Sequence, residues 1–256
     1  CSAGNNGGGA SSNEPDQVTL HVEDQRFFIN GDAAGTAFSG AALSLVPNLA
    51  DGTIALCYRD GENPDPCCTT LAPLGSPVVV TGTLRMLNVD GVNSDGVVSI
   101  QPDAAIGVLS LGSIKTADIE GSVDHLIVVG KSDAVAHDGA RIGQATLGDS
   151  CADLVINANS SVGDVDAPFE AQVSGEGAGG TRVTITGDEG AAEQRHGTLL
   201  EAANDDAAWE DAIAALTGTA TTQQAKAPAG SGTAPANTAA SATAANPFAP
   251  QTAYAY

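Results

Sequence analysis

The sequence is poor in basic residues: nine Lys and Arg stand against 31 Asp and Glu, for a formal net charge of -22 at pH 7. A field of this sign repels phosphate backbones and anionic lipid head groups, so nucleic acid is not expected as a partner. The chain also lacks any run of eighteen apolar residues, and no segment is expected to cross a membrane as a helix. Its hydrophobic fraction of 42% is nevertheless ample for a buried core.

The first of the five cysteines stands alone at the start of the sequence. Cys1 precedes a Gly-, Ser- and Asn-rich stretch, and residues 1–16 are predicted to form a flexible tether because they cannot bury apolar surface. This arrangement resembles a mature bacterial lipoprotein, in which the modified cysteine comes first and a tether lifts the domain off the membrane. The resemblance implies a covalent lipid on Cys1 and an exported protein. Because Ser2 follows the cysteine, it further implies anchoring in the outer membrane or display at the cell surface.

The other four cysteines predict disulfides, because an even number in an exported protein is typical of paired thiols. Cys57 and Cys67 flank the turn-rich segment YRDGENPDP, so a bridge between them is sterically easy and would leave Cys68 to pair with Cys151. The remaining connectivities stay open. Zinc is disfavoured, because the chain has no CxxC and no histidine near these cysteines.

Residues 17–75 have the pattern of a small β module. The segment VTLHV alternates apolar and polar residues, and it should turn Val18, Leu20 and Val22 inward. The segment FFING carries an Asn-Gly turn signal, and TIALCYR reads as a further strand.

An internal repeat marks residues 76–187. ADIEGSVDHL (117–126) aligns without a gap on ATLGDSCADL (145–154), and the strand-like tetrads VVSI, LIVV, LVIN and VTIT recur at similar spacing. A repeat of about 28 residues, built of β-branched runs broken by Gly, Asp and Asn, predicts a parallel β-solenoid of about four coils. A β-sandwich is the alternative. The predicted apolar ladders are Ile114, Ile142 and Phe169, and Val97, Leu126, Leu154 and Val183.

Residues 188–218 are predicted to hold one helix that caps the solenoid. Asn204 or Asp205 suits the N-cap, and Trp209, Ile213 and Leu216 share one face. We expect Trp209 to belong to the core rather than to a ligand site, because the end of a solenoid needs an apolar cover.

Residues 219–256 form a low-complexity arm of Ala, Thr, Pro, Gly and Ser that ends in NPFAPQTAYAY. Aromatic residues are scarce in the chain, at 4%, and three of them return here: Phe248, Tyr254 and Tyr256. The alternation of the two tyrosines suits a short strand added to an exposed sheet edge of a partner. These three residues are therefore the predicted partner-binding set.

Candidate ligand chemistry is confined to one run, NVDGVNSDG. Its glycines permit a tight turn, and its oxygen ligands are of the hard type that calcium prefers: Asn88, Asp90, Asn93 and Asp95. The spacing departs from an EF-hand, and a plain coil turn is the alternative.

Catalytic motifs are absent: the sequence has no GxSxG, HExxH, Walker or GxGxxG-after-strand pattern. Polysaccharide-cleaving β-helix enzymes use carboxylates on successive coils. Here Asp90, Asp118 and Thr146 are near-equivalent in the repeat, so the carboxylate column ends after two members.

The sequence as a whole predicts an all-β, exported, non-enzymatic lipoprotein that acts as a structural or assembly subunit of a cell-envelope or extracellular complex. Its partners would be other protein subunits or further copies of itself in a filament, and it would touch the membrane only through the lipid on Cys1. No cofactor is expected beyond the calcium candidate. The alternative is an extracellular β-helix protein that binds glycan or cleaves it weakly.

Overall fold

The structure is a computed structural model that describes residues 17–37, 42–59, 66–149 and 151–217. Strands dominate it and wind into a parallel β-solenoid of about five coils, followed by two helices, α1 (Ala191–Ala202) and α2 (Asp206–Leu216). The β-solenoid prediction is confirmed, with slightly more coils than expected, and the sandwich alternative is wrong. The strands are β1 (Val18–Glu23), β2 (Arg26–Ile29), β3 (Asp32–Thr36), β4 (Ala42–Asn48), β5 (Thr53–Tyr58), β6 (Cys67–Pro73), β7 (Val78–Ile100), β8 (Ala105–Ile119), β9 (Ser122–Val129), β10 (Ser132–Ala136), β11 (Arg141–Leu147), β12 (Ala152–Ile156), β13 (Ser161–Ala167), β14 (Val173–Ser174) and β15 (Arg182–Ile185).

Each coil contributes one strand to each of two sheets. We call sheet one the set formed by the middle of β7, the first half of β8, and then β9, β11, β13 and β15, all paired in parallel. Sheet two contains the ends of β7 and β8, followed by β10, β12 and β14. Strands β7 and β8 are long because they bend from one sheet into the other. A single apolar core lies between the sheets.

The strand register sets the true length of a coil. Residues that occupy equivalent places on successive coils of sheet one pair in the series Leu84, Ile106, Val123, Ile142 and Val162. A coil therefore holds only about 20 residues, at the lower end of the range for solenoid repeats. The coil length predicted from the repeat is wrong. The sequence repeat shifts the chain by 28 residues, from 117 to 145, which is about one and a half coils. It therefore aligns a strand of one sheet with a strand of the other sheet, and the two look alike because both carry inward apolar residues.

Both predicted ladders change accordingly. Ile142 pairs with Val123 and Val162, whereas Ile114 pairs with Asn93 on the corner of β7. Leu154 belongs to sheet two and pairs with Ala134 and Val173. One continuous ladder of sheet one consists of Leu43, Leu87, Leu109, Leu126, Ala145, Val165 and Val183.

Glycine occupies sheet-one positions where neighbouring coils come closest. A Cβ added at Gly163 would lie 2.1 Å from the carbonyl oxygen of Gly143, and one added at Gly143 would lie 2.6 Å from that of Asp124. Neither position has room for a side chain without spreading the coils. The close approach follows from a local pattern that the two strands share, IGQATL and VGDVDA. In each, the first residue points inward, the glycine and the residue after it point outward, and the fourth residue points inward again.

The N-terminal strands extend both sheets, first by parallel pairing with β7 and then by antiparallel hairpins. Strand β1 pairs in parallel with β7 and then leads into the β2–β3 hairpin, while β4 pairs in parallel with β7 and leads into β5 and β6. Val18, Leu20 and Val22 are buried in the common core, as predicted. The predicted Asn-Gly turn is present, with positive φ angles of 51° at Asn30 and 86° at Gly31.

The two helices cover the outer side of sheet one. The structure thus has two helices where one was predicted, and they pack on the flank of the solenoid instead of over its last coil. The physical reason is that Met86, Val108 and Ile127 point outward from the sheet and need an apolar cover. No helix among the described residues combines the length and apolarity that membrane spanning requires.

The prediction of an N-cap and a buried tryptophan is confirmed. The Asp205 carboxylate accepts hydrogen bonds from the backbone N–H groups of Ala207 and Ala208, both at 3.0 Å, and so satisfies two free donors of α2. Trp209 is 7% exposed and belongs to the cluster beneath the helices.

Candidate functional site

The two ends of the solenoid differ in how the core is closed. At the N-terminal end, Phe27 and Tyr58 meet edge to face with their ring centroids 4.6 Å apart, and both rings are buried. Gly35 lies so close to them that an added Cβ would fall 2.4 Å from the Phe27 ring. An aromatic pair thus closes this end of the core.

The C-terminal end has no such closure among the described residues. Strand β15 pairs only with β13 and strand β14 only with β12, so one edge of each last strand has no described partner. Ile185 is 50% exposed and Phe169 is 41% exposed, which makes them two of the three exposed large hydrophobic residues in the described chain. An unpaired strand edge beside exposed apolar side chains is a template for pairing with another strand. We call this surface, formed by Phe169, β14 and β15, the open end.

Phe169 lies at this surface for a reason that the sequence repeat concealed. It was predicted to lie in the ladder with Ile142, but it follows β13 and precedes a short 3-10 turn (Glu170–Gln172) that leads into β14. The buried Gln172 amide anchors the turn, because its Nε2 donates to the carbonyl oxygens of Asp149 and Ala152 at 2.5 and 2.8 Å. The position of Phe169 at the open end is therefore held by the preceding coil.

Polar contacts pin α1 to sheet one next to the apolar cluster. The Arg195 guanidinium donates to the Thr146 hydroxyl and to Asp166 Oδ2, the latter at 3.1 Å. His196 Nδ1 lies 2.6 Å from the Ser110 hydroxyl oxygen. On α2, Asp206 forms an ion pair of 2.6 Å with Arg85.

Burial changes the titration of two histidines in this region. Burial against sheet one lowers the pKa of His196, a residue of α1, below its ordinary value of 6.5. Burial also lowers the pKa of His125, and the nearby Asp124 carboxylate only partly opposes this shift. In both residues burial favours the neutral imidazole, which suits a structural role in the helix–sheet contact.

A polar row follows one corner of the solenoid. His137 Nε2 lies 2.8 Å from Asp118 Oδ1 of the preceding coil, and its Nδ1 lies 3.4 Å from the Asn157 amide nitrogen of the next coil. The predicted equivalence of Asp90, Asp118 and Thr146 is wrong, because Asp118 pairs with Ser99 and Val135 in sheet two. Asp133 and Asp153 instead occupy one column on consecutive coils of the outer side of sheet two, which no described element covers.

Two of the four residues in the predicted calcium set belong to a described part of β7. Asn88 and Asp90 lie two positions apart on β7, and burial raises the pKa of the Asp90 carboxyl. The Asn88 side chain is buried, and neither of its amide atoms has a hydrogen-bond partner in the described structure. The side chains of Asn93 and Asp95 lie outside the described residues. Within the described part of the chain, no group of three His, Cys, Asp or Glu side chains is arranged to hold a metal ion.

The disulfide pairing differs from the sterically easy choice. Cys57 is bonded to Cys68, not to Cys67, and Cys151 is a free, exposed thiol instead of the partner of Cys68. The reason is the β5–β6 register: Cys57 lies directly opposite Cys68, with their Cα atoms 4.1 Å apart, while Cys67 lies opposite Tyr58. Cys1 and the predicted partner-binding residues Phe248, Tyr254 and Tyr256 lie outside the described residues.

Sequence reasoning missed the open end itself. The exposed position of Ile185 could have been predicted from a short pattern that recurs in sheet one: an apolar residue, two outward residues, and then two apolar residues in alternate positions. This pattern begins at Ile106, Val123, Ile142 and Val162. Reading that pattern forward ends the solenoid at β15. No family model, no curated protein and no solved structure matches this chain.

Proposed function

We propose that this protein is a non-enzymatic structural subunit of a cell-envelope or extracellular assembly, which joins other protein subunits or further copies of itself through its open end. The observation that carries the proposal is the asymmetry of the solenoid. Phe27 and Tyr58 close one end of the core, whereas Ile185 and Phe169 are left exposed beside unpaired strand edges at the other, within the part of the chain that the structure describes. A surface used at one end only would build head-to-tail contacts, which generate rings or filaments.

The compartment is part of the same proposal. Export and a lipid anchor on Cys1 rest on the resemblance of the N-terminal residues to a mature lipoprotein, and the protein would then be anchored in the outer membrane or displayed at the cell surface. The Cys57–Cys68 disulfide supports an oxidising location, because such bonds persist mainly in exported proteins. The acidic surface suits a domain that stays soluble outside the cell.

The polar clusters support a structural role over a catalytic one. Arg195, His196 and Asp166 hold α1 against sheet one, and Asp118, His137 and Asn157 link three consecutive coils. Each of these groups is engaged by a neighbouring coil or helix. We retain calcium as a candidate ligand near Asn88 and Asp90, because the buried Asn88 amide has no described partner.

The assembly proposal is tested by sedimentation velocity over a range of concentrations. The full chain should associate, and Ile185→Lys should abolish association because it places a charge in the apolar layer at the open end. Thr184→Lys is the matched control: the residue precedes Ile185 on β15, pairs with Asp166 and points to the outer side of the sheet. If the full chain remains monomeric at all concentrations, or if Ile185→Lys associates as well as the control, the proposal is wrong.

Glycan binding is the second candidate function. The observation that favours it is the outer side of sheet two, which no described element covers and where Asp133 and Asp153 lie on consecutive coils. Desolvation raises the pKa of Asp153, and the Asp133 charge adds to the shift. A regular column of carboxylates could hydrogen-bond successive sugar hydroxyls. Loss of glycan retention on a polysaccharide column in Asp133→Asn/Asp153→Asn, with unchanged sedimentation, would favour this function.

A further inference from the structure

We propose that the open end is completed by the C-terminal segment of a second copy of this chain, residues 251–256, which adds as the next strand of sheet one with Tyr254 and Tyr256 turned into the core. This inference rests on the proposed assembly function and names the partner of the same surface. The mode is strand addition, in which backbone hydrogen bonds provide affinity and alternate side chains provide fit.

The acceptor is a row of inward side chains that lack a full cover. Val183 pairs with Val165 and Ile185 with Ala167, so both side chains of β15 continue core ladders. Val165 and Ala167, one coil earlier, are fully buried, whereas Ile185 is half exposed. The difference is the cover that the next coil would provide, and an added strand with two inward apolar side chains would supply it.

The donor segment has the matching pattern. In QTAYAY the side chains of Tyr254 and Tyr256 fall on one face of a strand, and Ala253 and Ala255 fall on the other. The two inward side chains of β15 have the same alternate spacing. The segment itself contains no proline, although prolines precede it, so no backbone N–H is missing and those that face β15 can join the ladder. Two tyrosine rings would then close this end of the core, as an aromatic pair closes the other.

Charge favours an extended arm over direct stacking of two solenoids. The chain carries a net charge of -22, yet residues 219–256 contain no Asp or Glu and only one basic residue, Lys226. Two acidic bodies in end-to-end contact would repel strongly. An arm lets them remain separated by more than the Debye length of about 8 Å while the uncharged segment makes the contact.

The arm is long enough to reach a second copy. Helix α2 ends beside Arg195, since Leu216 and Arg195 line one cleft, and Arg195 contacts Asp166, the residue paired with Thr184 on β15. A short connection would therefore reach the open end of the same molecule. A flexible linker with the length of residues 219–245 spans about 30 Å on average, which exceeds that need and also reaches a neighbouring copy.

The test is complementation between two full-length variants in sedimentation velocity. The donor variant Tyr254→Ser/Tyr256→Ser has a defective arm and an intact open end. The acceptor variant Ile185→Lys has an intact arm and a blocked open end. Each alone should be monomeric, with the apparent dissociation constant raised at least about tenfold, and a mixture should form discrete one-to-one dimers. Ala253→Ser/Ala255→Ser, on the other face of the arm strand, should associate like the unaltered chain.

The outcomes separate this inference from the proposed function. One outcome is that the unaltered chain associates, Ile185→Lys does not, and Tyr254→Ser/Tyr256→Ser associates normally. The open end would then be used, but the arm would not be its partner. In that case the inference is wrong and the proposed function stands. If both variants are monomeric but their mixture forms no dimer, exchange between copies is also wrong. A monomeric unaltered chain contradicts both.

Discussion

Replacing Gly163 with alanine tests the coil register directly. A Cβ at this position would lie 2.1 Å from the carbonyl oxygen of Gly143 in the preceding coil, well inside the 3.0 Å that ordinary Cβ contacts keep. The obstacle is backbone on a paired strand, so the coils must move apart locally and weaken the β11–β13 hydrogen bonds. We expect Gly163→Ala to cost about 1–3 kcal/mol of unfolding free energy, the range for an overpacked site, and to lower Tm by about 2–12 °C.

The matched control is Gly197→Ala on α1, where an added Cβ meets nothing within 4 Å. A glycine-to-alanine change inside an exposed helix should stabilise by about 1 kcal/mol. Both variants are compared with the unaltered chain by urea denaturation followed by circular dichroism. If Gly163→Ala proves as stable as the unaltered chain, Gly163 does not stack on Gly143 and the coil register is wrong.

Three further predictions concern the helices and the disulfide. Burial lowers the pKa of His125 and His196 below 6.5, so their contribution to stability is complete above that pH and is lost as the pH falls below it. The free energy of unfolding should therefore decline on acidification. His196→Gln should make this decline with pH less steep. Trp209→Ala should cost about 3–5 kcal/mol in urea denaturation, because it empties the cluster beneath the helices, and an unchanged midpoint would show that α2 does not pack there. Replacing Cys57 and Cys68 together by alanine should lower the free energy of unfolding by about 3 kcal/mol, because the disulfide no longer constrains a loop that joins residues 11 positions apart. Cys151→Ser should leave Tm unchanged.

Several local features could be predicted from the sequence because nearest neighbours along the chain decide them. Alternation in VTLHV indicated the buried face of β1, and Asn30-Gly31 indicated a turn because these residues tolerate positive φ. Asp205 marked the start of α2 because its carboxylate reaches the first free N–H groups. The Gly-broken, β-branched repeats also indicated a solenoid, since a helical repeat would need longer amphipathic runs.

The candidate site could not be predicted in the same way, because it depends on which strands become neighbours. The disulfide follows from the β5–β6 register, which placed Cys68 and not Cys67 opposite Cys57. The helices lie on the flank because Met86, Val108 and Ile127 come together only after three coils have stacked. Neither fact is visible in spacing along the chain.

The sequence by itself determined that this chain makes short strands with one buried face, ends them at glycine and polar turns, and carries an acidic surface. Only the tertiary structure decided that a coil is shorter than the sequence repeat and that the last coil leaves Ile185 exposed. The physical reason is that the inward residues of both sheets are equally apolar. The similarity of 117–126 to 145–154 is therefore expected both for strands that pair on neighbouring coils and for strands that face each other across the core. Backbone hydrogen bonding between specific strands removes that ambiguity, and it forms only when the chain folds.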